Sequence, residues 1–268
     1  MLFSSSKHIL EEDNMSFFTL KLVALLSMLF DHVTSVWPVS WFVWDLFFPH
    51  ATETPHIALA VQLLTDYIGR IAAPVFLFFI ANGYRHTHSV QQYALRLLVF
   101  ACLSEGPYYL LFGMHGNIMF TLFFGLITLW LFEYGNRLHP WLGWTLAAAV
   151  ILTAEVLALA EGKGRYLILI LTFYLTDHWT VSRRFLLFLV LLPVTRYALT
   201  WDLLSQAVAG TLTWRWIHLW VVNTIGPLLG VALTFRYNGK KGLTFPMDQY
   251  LWYFFYPAHL LILALMAG

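Results

Sequence analysis

Apolar residues run along this chain in blocks of the length a spanning helix needs, roughly 20 residues. The breaks between blocks are built from Gly, Pro and charged side chains. The pattern predicts helices near 16–37, 63–84, 91–112, 117–134, 141–160, 164–177, 184–200, 216–236 and 249–267. The expectation is therefore an all-α, polytopic membrane bundle of about nine transmembrane helices, with a range of eight to ten. The sixth segment is short, and the stretch from Trp201 to Arg215 reads as re-entrant or interfacial. The longest connection, Pro38 to Thr65, carries Trp41, Trp44, Phe47 and Phe48, an aromatic belt suited to the headgroup layer. No internal repeat or low-complexity tract is evident, which weighs against an inverted-repeat transporter.

Composition sharpens this picture by exclusion. Of 268 residues, 60% are hydrophobic and 11% charged, with a mean hydropathy of +0.70. Ordinary soluble domains have about 45–50% and about 25%. Too little polar surface exists to coat a water-exposed globule, so a soluble enzyme, a disordered chain and a nucleic-acid binder are excluded. Residues 1–15 form a short polar tail, expected to be cytoplasmic, and 16–268 form one integral membrane domain. A net charge of +1 argues against a polybasic surface module, and the single cysteine, Cys102, excludes an intrachain disulfide. With nine spans, Lys and Arg concentrate on the side of the amino terminus, which places the amino terminus inside and the carboxyl terminus outside.

An ionisable residue within a span costs about 2.5–3.5 kcal/mol, so each is a functional candidate. At about 1.5 Å per residue, Asp31, His32 and Glu105 fall at one depth, roughly 21 Å across a ~30 Å core. Arg70 enters that layer from the outer side, Asn117 opens the fourth helix, and His259 lies about 15 Å deep on the last, below the layer. Asp31 and His32 are neighbours on one helix and face about 100° apart, so the orienting partner of His32 must come from elsewhere. Glu105 is the candidate, with Arg70 or Arg96 neutralising Asp31. The competing reading of this set is a structural ion-pair network, and of His259 a side chain bonded to a neighbouring helix. On the cytoplasmic side, the RYNGKKG turn (Arg236, Tyr237, Asn238, Lys240, Lys241) and the GYRHTHS turn (Arg85, His86, His88) suit phosphate contacts, although a basic loop also serves as a topology signal. The histidine spacing in the second turn is a poor ligand signature, and no metal is expected. Cys102 reads as packing, and Asp177 and His178 as a solvated helix end.

Six ordered blocks carry a resemblance: KLVALLSMLFDH (21–32), GRIAAPVFLFFIANGYRHT (69–87), RLLVFACLSEGPYYLLF (96–112), NIMFTLFFG (117–125), YNGKKG (237–242) and YLWYFFYPAHLLIL (250–263). They resemble the successive motifs of the TraX family, which is similar to the wider group of transmembrane acyltransferases. The resemblance begins just after Met15, which is thereby a candidate start residue. It implies a bacterial inner-membrane enzyme that transfers acetyl from acetyl-CoA to a pilin-like amino terminus. Acetyl transfer needs a base for the nucleophile's proton, and His32 is that base or an acyl carrier. Glu105 would orient it, Arg70 and Asn117 would face the developing oxyanion, and His259 would act as a second acid/base or bind the carbonyl. The CoA phosphates and adenine would sit near Arg85, Arg236, Lys240 and Lys241. A glycan or lipid O-acyltransferase, a proton-coupled transporter and a structural assembly factor are the alternatives.

Overall fold

A computed structural model describes residues 14–47, 56–158 and 160–267, which are almost wholly helical. The helices are α1 (Phe17–Val36), α2 (Val39–Phe47), α3 (His56–Gly69), α4 (Ala72–His86), α5 (Val90–Phe112), α6 (Ile118–Leu138), α7 (Pro140–Val156), α8 (Lys163–Leu175), α9 (Val181–Thr195), α10 (Tyr197–Val208), α11 (Trp214–Thr234) and α12 (Asp248–Ala267). Large apolar side chains such as Leu110, Val156, Val190 and Leu265 stand exposed on the outside, while Leu20, Leu77, Leu126, Ile170 and Phe188 are sealed within. An apolar exterior of this extent is stable only against lipid, so the chain is a multi-pass membrane protein.

Every segment expected to span is helical. Among the described residues six helical stretches are long and apolar enough to cross a membrane, with α3 and α4 counted together as one from Ala60 to His86, or seven if a bent pair is one span. The rest fall short for a physical reason. α8 has 13 residues and α7 has 17, below the roughly 20 that a single crossing takes. The segment expected at 184–200 is broken: α9 and the helix after it meet at 71°, at the place where a re-entrant or interfacial stretch was expected. In the 38–65 connection α2 carries exposed Phe42, Leu46 and Phe47. Phe48 lies outside the described residues, as do the side chains of Trp41 and Trp44. Cys102 does not pack; it is exposed. Asp177 is not merely solvated either, since it pairs with Arg85 at 2.8 Å and approaches Arg184 at 4.0 Å.

Two close approaches position the polar interior of the bundle. At the Met15 end, the loop after α11 clamps the start of α1: Phe17 and Phe18 N–H groups donate to the Lys240 and Lys241 carbonyls, and Met15 and Tyr237 form a β-bridge. Gly242, at φ +76°, leaves no room for a side chain, because a Cβ there would stand 2.3 Å from the Ser16 hydroxyl that caps α1. Deeper in the bundle, a Cβ on Gly69 would fall 2.0 Å from Asp31 Oδ1. Ser27 Oγ donates to the Ile68 carbonyl at 2.5 Å, so α1 and α3 touch almost backbone to backbone. This contact carries Asp31 to the α3–α4 break, where Arg70 sits.

Candidate active site

His32, four-fifths of the way along α1, meets His259 of α12: Nδ1 to Nε2 is 2.8 Å, with the ring centroids 5.1 Å apart and the ring planes within 8° of parallel. The tautomers follow from the partners. His259 Nδ1 lies 2.8 Å from the Phe255 carbonyl, which can only accept, so the proton of the neutral ring is on Nδ1 and Nε2 is an acceptor. His32 Nδ1–H therefore donates to it, leaving His32 Nε2 with a bare lone pair and no hydrogen-bond partner among the described residues. Phe112 and Tyr256 pack edge-on or tilted against the His32 ring, at 5.3 and 6.4 Å. The expectation that His259 lies below the His32 layer is thus corrected; the reach of two side chains closes the gap that counting rise along the helices leaves open.

The role expected for Glu105 is corrected as well. Its carboxylate accepts from Gly116 N–H (2.9 Å), Asn117 N–H (3.4 Å) and Asn117 Nδ2 (2.8 Å), and lies 3.1 Å from His115 Nδ1. It holds the GMHGN turn rather than the His32 imidazole. Asn117 is fully engaged too. Its Oδ1 caps α6 through Met119 N–H, while Nδ2 also donates to the Ala101 carbonyl. A completely buried amide with these bonds has no donor left for an oxyanion.

Asp31, His32 and Arg70 do converge, lining one small cavity of about 40 Å³ with Glu161 and Tyr166. Glu161 escaped the sequence reading because it sits in the loop between α7 and α8, where a carboxylate ordinarily meets water. Here its backbone is pinned, its N–H donating to the Gly116 carbonyl at 2.5 Å and its carbonyl accepting from Thr121. Burial pushes its carboxyl up to about 6, with Asp31 adding to the rise and Arg70 and Arg165 opposing it.

On the Met15 side this cavity adjoins an apolar one of about 240 Å³, the two sharing Met28, Phe76 and Ile118 as walls. The apolar cavity in turn adjoins a mouth of about 670 Å³, through Phe17, Lys21, Gly83, Tyr93, Trp252 and Tyr253. The mouth carries Lys21, Arg96 and Lys241, with His86 and Tyr237. Lys21 lies over the Phe17 and Trp252 rings, at 5.3 and 5.0 Å, at the join of mouth and apolar cavity. Arg96 belongs to this mouth and not to Asp31, correcting one of the two pairings expected for it. Of the basic residues assigned to this region, Lys241 lines the mouth, whereas Arg85 is committed to Asp177 and the Tyr174 carbonyl. Arg236 faces a separate groove beside Phe235, and Asn238 Oδ1 accepts from Lys240 N–H to shape the turn. Lys240 is exposed outside the mouth lining. Lys21 was legible as a cation one turn into an apolar helix.

Toward the opposite end, Glu161 is also part of the wall of a fourth cavity, polar and about 660 Å³, with Lys163, Arg165 and Arg196.

The sequence model of the TraX family, described as TraX protein, matches residues 16–267. A curated relative, the "Probable fimbrial assembly protein FimC, serogroup H1" of Dichelobacter nodosus, is 28% identical over 211 residues, covering 74% of this chain and 80% of the relative. No solved structure matches at a significant level.

Proposed function

The chain belongs to the TraX family, and from that premise, together with the row of adjoining cavities, we propose that it is a membrane-embedded acetyltransferase with acetyl-CoA as donor. The observation that carries the reading is the His32–His259 pair lying where an apolar cavity, reached from a cation-lined mouth, ends against a polar chamber. Each cavity suits one part of the donor. Lys21, Arg96 and Lys241 offer charge to phosphates, the aromatic walls of Tyr93, Trp252 and Tyr253 suit the slender pantetheine arm, and the thioester would reach His32. Lys21 and His32 are 11 positions apart on α1, about 17 Å of helix rise, so the invaginated mouth removes the need for the arm to cross a whole bilayer. The concentration of Lys and Arg toward the Met15 end supports a cytoplasmic location for it, where acetyl-CoA is made, in a bacterial inner membrane.

The chemistry assigns one role per group. The acceptor's lone pair attacks the acetyl carbonyl carbon, and its proton passes to His32 Nε2. The C–S bond breaks with its electrons going to sulfur, and the imidazolium returns the proton to the thiolate. His259 accepts from Nδ1 and keeps the reactive nitrogen unprotonated in the resting state. Asp31 and Glu161 line the same cavity as His32 and offer negative charge to the transient imidazolium, and Arg70, which interacts electrostatically with both, is on hand for the developing oxyanion. An acetyl-His32 intermediate divides the same balance into two half-reactions. The relative's name, fimbrial assembly protein, supports an acceptor of the pilin type; a glycan or lipid hydroxyl is the substrate alternative.

One observation favours a transport reading: beside the chamber, His218 pairs with Asp66 at 3.2 Å and Gln62 donates to it at 2.8 Å, extending the polar row between α3 and α11. The test separates the two. Purified protein in nanodiscs with acetyl-CoA and amine or hydroxyl acceptors should generate free CoA thiol, whereas a transporter leaves the thioester intact.

A further inference from the structure

The polar cavity at the end opposite Met15 has no part in donor binding, yet a single residue, Glu161, separates it from the chamber that holds His32 and Asp31. Cations outnumber carboxylates in its lining. Lys163, Arg165 and Arg196 line it against Glu155 and Glu161. Glu155 is committed to the backbone, accepting from Gly164 N–H at 3.0 Å at the start of α8, and Glu161 lies on the chamber wall, shared electrostatically between Arg70 and Arg165, while Arg196 bonds Tyr166. His115, at the rim, stays with Glu105. Arg165 stacks on Tyr166 at 5.2 Å, and its buried Nε has no partner among the described residues. A half-buried arginine with an unpaired donor is favoured by an anion that completes its bonding.

We infer that this cavity is the acceptor's vestibule, opening on the face away from the CoA mouth and selective for an acceptor that carries an acidic group, carboxylate or phosphate, beside its nucleophile. The inference rests on the acetyltransferase reading for the word acceptor; the anion selectivity stands on the geometry alone. Arg165 and Arg196 take the acidic group, and the nucleophile passes Glu161 toward His32. Donor and acceptor then enter from opposite ends and meet at the histidine pair, so neither has to leave for the other to bind.

The experiment places a reporter thiol at Thr195, which lines the vestibule and has no part in the proposed chemistry. In the Cys102→Ser chain carrying Thr195→Cys, in nanodiscs, the rates of reaction with anionic sulfonatoethyl and cationic trimethylammonioethyl methanethiosulfonate are compared, each corrected by its rate with a free thiol. A cation-focused cavity should favour the anionic reagent by about tenfold or more. Arg165→Gln with Arg196→Gln should bring the ratio near one while the neutral methyl reagent still reacts as before, which shows the double variant folded. Equal rates, or a preference for the cationic reagent, overturn the inference. Labelling should also stop acetyl transfer while acetyl-CoA still binds; transfer that continues undiminished overturns the vestibule's role as the acceptor's route. Failure of the unlabelled protein to bind acetyl-CoA instead defeats the acetyltransferase reading and leaves the charge comparison to decide the anion site.

Discussion

At the scale of single residues, the arrangement turns on which nitrogen of His32 is free. The Phe255 carbonyl fixes His259, His259 fixes His32, and Nε2 is left for chemistry. His259→Ala removes the acceptor for Nδ1–H without touching Nε2, so thiol release should fall by about 10²-fold, the lower range for a disturbed acid–base group, with KM for acetyl-CoA unchanged. Glu161 adds a pH signature. Its carboxyl is raised by burial to about 6, so between the ordinary carboxylate range and that value the folded protein holds a proton that the unfolded chain has lost. Raising the pH through that interval therefore costs stability. Activity runs the other way: the anion that favours the imidazolium is lost as pH falls through about 6, and the rate should fall with it. Glu161→Gln should lower the rate and erase that inflection; an inflection unchanged in the variant would show that another group produces it.

Among the helices, tight contacts decide what converges. Gly69→Ala places a methyl into Asp31 Oδ1, and overpacking of this kind costs about 1–3 kcal/mol. Its Tm in detergent should drop, and α1 should be displaced from Arg70. Gly106→Ala, where a Cβ meets nothing within 4 Å, is the matched control and should leave Tm unchanged or slightly raised. Asn117→Ala distinguishes a structural role from a catalytic one. Loss of the α6 cap costs about 1–2 kcal/mol, so Tm should fall while the rate per folded molecule holds; a large loss of rate at unchanged Tm would restore the oxyanion role expected from sequence.

For the whole molecule, the bundle and the convergence of Asp31, His32 and Arg70 were legible, because apolar runs and the cost of intramembrane charge speak directly from composition. Depth along each helix was legible only in part, since it left His259 below the His32 that it meets. What depth cannot encode is rotation about a helix axis and the path of a loop. Glu105 turns toward the GMHGN turn, Arg96 faces the mouth, and Glu161 enters the chamber from a loop that hydropathy reads as solvent. The basic turn after α11 drew attention for its cations, yet its main structural work is done by backbone carbonyls clamping α1. Lys21→Gln with Lys241→Gln should raise KM for acetyl-CoA several-fold at little change in kcat, since the mouth binds the part of the donor that does not react.

The most direct measurement is release of CoA thiol from acetyl-CoA by the purified protein in nanodiscs, wild type beside His32→Ala, with acetyl-CoA binding followed in the same samples. The account predicts turnover or a single burst in wild type, and none in His32→Ala, which still binds the donor. Thiol release that persists at the wild-type rate in His32→Ala would contradict it.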